Sequence, residues 1–80
     1  MKLPRDIDFA TLIKMLAAFG YTANRQTGSH IRISTEQNGQ HHITIPAHRP
    51  IKIGTLNAIL ADIAAHFNIS KSELSRKLFG

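Results

Sequence analysis

The apolar positions of the chain change spacing twice. Phe9, Leu12, Ile13, Leu16 and Ala17 repeat so as to fall on one face of a helix. Asp8 stands where an N-cap is wanted and Gly20 where a left-handed residue ends a helix, so the pattern predicts a helix over about 8–19. From Ser29 to Thr35 the spacing becomes alternation, with Ile31 and Ile33 on one side and His30, Arg32 and Ser34 on the other. After Gln37-Asn38-Gly39 the alternation resumes, His41, Ile43 and Ile45 against His42 and Thr44, until Pro46 stops the ladder. Behind Gly54-Thr55, helical spacing returns in Leu56, Ile59, Leu60 and Ile63, and Ser70-Lys71-Ser72-Glu73 forms a capping box. The expected chain is α+β and a single domain over 1–80: a helix, three strands over about 21–46, then helices over about 55–67 and 71–78.

Burial sets the strand register. If all four isoleucines face one core, Ile33 opposes Ile43 and Ile31 opposes Ile45, which leaves Gln37, Asn38 and Gly39 as the loop. For the first hairpin, a tight Thr27-Gly28 turn pairs Gln26 with Ser29 and Arg25 with His30. That register sets Tyr21, Ala23 and Arg25 in one row on the open face and turns Asn24 toward the core. With helices covering one side of the sheet, the other side carries His30, Arg32, Ser34, His42 and Thr44. Such a face binds a partner or stays wet.

Composition narrows what that face can do. Eighty residues allow one domain with a thin core. With no cysteine, disulfides, thiolate metal sites and cysteine nucleophiles are excluded. Ten Lys and Arg against five Asp and Glu give a net charge of +5 and point to a polyanionic partner. The excess concentrates at residues 21–54, where Arg25, Arg32, Arg49 and Lys52 face only Glu36, alongside His30, His41, His42 and His48. The glycines are scattered singly, so no phosphate-binding loop exists, and scarce acids argue against a two-metal nuclease. Asp6 and Asp8 read as helix-start residues. Near the N-terminus, Lys2 and Arg5 are followed at once by Asp6 and Asp8, and Lys14 interrupts the next apolar stretch, unlike a signal peptide. The longest apolar run, Met15 to Phe19, is far too short for a membrane span, so a cytoplasmic protein with no membrane partner is expected.

Any chemistry must therefore run on histidine and arginine. His41 and His42 are adjacent in a strand and point to opposite faces. A zinc site from His30, His42 and His48 lacks an acid or cysteine to complete it, and His66 reads as a helix C-terminal dipole contact. His30 follows a turn glycine on the open face, with Arg25 and Arg32 as expected neighbours. Imidazole moves protons near neutral pH, guanidinium groups hold a phosphodiester, and RNA supplies its own nucleophile in the 2′-hydroxyl.

These residues carry a family resemblance. Gly28-Ser29-His30 after Arg25-Gln26, then Ile43-Thr44-Ile45-Pro46, then Lys52-Ile53-Gly54-Thr55-Leu56, resembles the HicA toxin family of type II toxin–antitoxin systems from about Ile7 to Leu60. The resemblance implies a double-stranded-RNA-binding-domain-like α-β-β-β-α fold, here with an extra C-terminal helix. It implies an mRNA interferase, an endoribonuclease that needs no metal or other cofactor. It implies His30 as the catalytic residue and a HicB-like antitoxin as partner. Arg25, Ser29, Arg32, His42 and Lys52 are the expected RNA-binding residues, and the protein alone is expected to be a monomer. Asn24 stands where the family often has an apolar residue, which points to an irregular first strand.

Two other readings compete. One is a non-catalytic module that recognises structured RNA by shape. The other uses the C-terminal extension: Asp62 to Arg76 looks like a helix-turn-helix that would present Lys71, Ser72, Ser75 and Arg76 to DNA.

Overall fold

The structure, a computed structural model, describes residues 3–80; Met1 and Lys2, the latter counted above among the basic residues, lie outside it. Asp8 caps α1 (Phe9–Leu16), its carboxylate accepting the Thr11 backbone N–H at 2.8 Å. That bond holds the Asp8 carboxyl below its ordinary range. The helix ends earlier than its apolar pattern suggests, tightening over Ala17–Phe19 into a 3-10 turn that Gly20 closes at φ 83°. A Cβ at Gly20 would lie 2.7 Å from Thr35 Oγ1, so both the backbone angle and the space demand glycine.

Three antiparallel strands follow in sheet order β1 (Thr22–Thr27), β2 (His30–Thr35), β3 (His41–Pro46). The β2–β3 register is the expected one, Ile33 opposite Ile43 and Ile31 opposite Ile45. In its loop both Asn38 (φ 57°) and Gly39 (φ 95°) take the left-handed conformation.

The first hairpin departs from expectation. Its turn is Gly28-Ser29 rather than Thr27-Gly28, so Thr27 opposes His30 and Arg25 opposes Arg32, not His30. A β-bulge between Ala23 and Arg25 then shifts the register, and Ala23 opposes Ile33. The bulge frees Asn24 from the core, where the regular register had placed it. Asn24 is exposed and donates from Nδ2 to Ser34 Oγ at 2.9 Å. Tyr21, expected on the open face, is instead only 1% exposed.

α2 (Ile53–Phe67) begins at Ile53, ahead of the expected Thr55, with Lys52 as its N-cap residue. It ends on Asn68 at φ 58°, with the Asn68 and Ile69 N–H groups donating to the Ala65 and Ala64 carbonyls, a Schellman closure. α3 (Lys71–Phe79) starts as the capping box predicts, Ser70 Oγ accepting the Glu73 N–H at 3.0 Å. Leu12, Leu16, the four strand isoleucines, Leu56, Leu60, Ile63 and Leu74 form one core cluster. The result is the expected α+β order, helix, three strands, helix, with one further helix. Because α1, α2 and α3 share the core with the isoleucine face, His30, Arg32, His42 and Thr44 stay exposed on the other side.

Candidate functional site

The corrected register brings two arginines directly opposite each other on the open face. Like charges in opposed positions repel, and the only ion pair among the described residues, His41 with Asp62, involves neither. Arg25, Thr27, His30, Arg32 and Thr44 together line a small cavity of about 250 Å³. His30 thus shares this cavity with Arg25 and Arg32 although neither is its cross-strand partner. No side-chain hydrogen bond within the described residues occupies its ring nitrogens, so they are free to meet a ligand.

The other expected binding residues, Ser29, His42 and Lys52, do not line this cavity. Ser29 occupies the exposed turn just before His30, and its carbonyl accepts the Ala47 N–H at 2.7 Å, tying that turn to the segment after β3. His42 joins a polar row across the sheet: Ser34 Oγ meets His42 Nδ1 at 2.6 Å and also takes the Asn24 Nδ2 bond. Lys52 is exposed at the start of α2, one turn before Thr55. Thr55, with Arg32, His42, Thr44 and Asp62, lines a larger groove of about 560 Å³ between β3 and α2.

A second polar assembly is not evident in the sequence. The Tyr21 hydroxyl meets His41 Nδ1 at 2.6 Å, and His41 Nε2 lies 3.2 Å from Asp62 Oδ1. Tyr21 donating to Nδ1 and Nε2–H donating to the carboxylate is one tautomer that satisfies both bonds. Burial, and secondarily Asp62, pushes the Tyr21 phenol up to about 12. His41 stacks on His66 with ring centroids 4.4 Å apart. His66 is more than a dipole contact, since its Nε2–H donates to the Gln37 and Gly39 carbonyls at 2.9 and 3.1 Å. Asn38 Nδ2 returns a bond to the His66 carbonyl at 2.8 Å, so the β2–β3 loop is fastened to the end of α2.

Two of the alternative readings lose ground on geometry. Among the described residues no three His, Asp or Glu side chains come together to hold a metal, so His30, His42 and His48 do not form the zinc set considered above. Ser75 is 5% exposed and packed inside, so α3 cannot present it to DNA as the helix-turn-helix reading requires. No helix of the described residues is long and apolar enough to cross a membrane.

Comparison with curated proteins and with solved structures returned no match. A family model described as the HicA toxin of bacterial toxin–antitoxin systems matches residues 9–64, from α1 through most of α2, a span that holds His30 and every other expected site residue. With that match covering well over half of its length, the chain belongs to the HicA toxin family.

Proposed function

We propose that this toxin is a metal-independent endoribonuclease, an mRNA interferase, with His30 as its general acid or base. The observation that carries the reading is the cavity in which His30 meets the unpaired, mutually opposed Arg25 and Arg32. Two cations forced together on a bare face are relieved by an anion between them, and a phosphodiester has the charge and oxygen geometry for both. At about 250 Å³ the cavity falls short of the roughly 300–1,000 Å³ of whole-ligand sites and suits a single phosphate group.

The chemistry uses the substrate's own hydroxyl. The 2′-oxygen bonds to phosphorus as the bond to the 5′-oxygen breaks, and the 2′-hydroxyl proton is in effect delivered to the leaving oxygen. His30 moves that proton on one side of the reaction, while Arg25 and Arg32 stabilise the charge that grows on the phosphoryl oxygens. The products are a 2′,3′-cyclic phosphate and a 5′-hydroxyl end. Ser29, His42 and Lys52 extend the contact to neighbouring nucleotides. A HicB-like antitoxin with an acidic surface covers the same face and blocks RNA.

Incubation of end-labelled RNA with purified protein in excess chelator tests this. The native chain is expected to cut and leave cyclic-phosphate ends, while His30→Ala binds RNA without cutting. Undiminished cutting by the variant removes His30 from the mechanism. Intact RNA bound by the native chain favours the non-catalytic module.

A further inference from the structure

Resting on that reading of the small cavity as the phosphate seat, we infer that the adjoining groove between β3 and α2 holds the base of a neighbouring nucleotide and that Asp62 reads it, guanine foremost. Arg32 and Thr44, cross-strand partners, line both spaces, so the groove opens directly beside the phosphate seat. Its volume, about 560 Å³, lies within the range of small-molecule sites, roughly 300–1,000 Å³. On the helix side it is walled by Thr55, Ala58, Ile59 and Asp62, one stripe of α2, so an apolar patch suited to the face of a base ends at a carboxylate.

The carboxylate decides what fits. On a chain of net charge +5, Asp62 is the one acidic residue lining this groove, and a phosphate cannot rest against it. A base N–H can. Asp62 Oδ1 is held by His41 Nε2 at 3.2 Å, and among the described residues no group bonds Oδ2. His41 is itself fixed by the Tyr21 hydroxyl and the His66 stack, so the carboxylate is anchored while its side chain remains 58% exposed. The Watson–Crick edge of guanine presents two adjacent N–H donors, one for each carboxylate oxygen. Adenine and cytosine present a single amino donor beside an acceptor nitrogen, and uracil a single N–H between two carbonyls. Bases of single-stranded RNA are open to this kind of edge readout.

The test uses short uridine RNAs that carry one guanosine, adenosine or cytidine at successive positions. Affinity is measured by fluorescence anisotropy on 2′-O-methyl versions, and cleavage on unmodified ones. At one position guanosine is expected to exceed uridine by about tenfold, the discrimination of a bidentate base contact. Asp62→Asn, which offers one donor and one acceptor, is expected to move the preference from guanosine to adenosine, cytidine or uridine. Ala58→Leu, at an exposed position, narrows the groove and should weaken the guanosine preference without touching Asp62; thermal melting verifies that both variants fold. Equal affinity for all four bases, or the same guanosine preference in Asp62→Asn, overturns the inference. Cutting without base preference leaves the nuclease reading intact and removes this one. Base-selective binding without cutting does the reverse, and no RNA binding removes both.

Discussion

Replacing Tyr21 with phenylalanine probes the buried assembly that anchors Asp62. The ring is 1% exposed and keeps its edge contact with Phe67, centroids 6.3 Å apart, so the substitution leaves packing almost unchanged. What is lost is the 2.6 Å bond to His41 Nδ1. A neutral buried hydrogen bond contributes about 1 kcal/mol net, and a partner left unsatisfied raises the cost toward about 2 kcal/mol. The second figure applies because the His41 side chain is only 16% exposed, which limits replacement by water. For a domain of this size the loss lowers the melting temperature by about 8–16 °C, read by circular dichroism at neutral pH.

The same group gives a pH signature. The phenol is raised from 10.0 to about 12, so the native state holds its proton more tightly than the unfolded chain does. Its contribution to stability is complete below pH 10.0 and is lost as pH rises through about 12. The gap in stability between the native protein and Tyr21→Phe should close across that window. Tyr21 is the single tyrosine and there is no tryptophan, so tyrosinate absorbance follows this group alone. Unchanged melting in the variant, or a native tyrosinate midpoint at the ordinary 10.0, would refute the reasoning.

Three further outcomes are expected. Arg32→Ala should reduce the slope of log affinity against log salt for single-stranded RNA by about 0.7, the value for one lost phosphate contact, measured with uncleavable RNA. Gly20→Ala should cost about 1–3 kcal/mol in urea denaturation, because it strains a positive φ and drives a methyl into Thr35 and Gln37. Ile45→Ala, at 0% exposure against the helices, should cost about 2–5 kcal/mol in the same assay.

The parts of the fold legible in the sequence are those where burial alternates. Ile31, Ile33, Ile43 and Ile45 fix one register because a slip would expose them all, and the structure has that register. Residues 22–27 offer no such cue. Every one is exposed, so the alternation that pinned β2 and β3 has nothing to act on, and the turn was expected one residue too early. His30 and the two arginines could be gathered to one face from the pattern, but their adjacency depends on the register. The Tyr21–His41–Asp62 assembly was out of reach for a different reason. Its members come from before β1, from β3 and from α2, and only tertiary packing brings them together.

The bulge at Asn24 has one more consequence. Tyr21 and Arg25 are four positions apart, and along an uninterrupted strand both would point the same way. The extra residue inverts the phase, so the core receives its aromatic anchor while the open face receives its cation. What this segment encodes at position 24 is therefore a count rather than a chemistry. Exchanging the Asn24 side chain leaves the count intact and removes one hydrogen bond. Deleting the residue forces a choice between burying an arginine and expelling the tyrosine, and neither half of the molecule survives that choice unchanged.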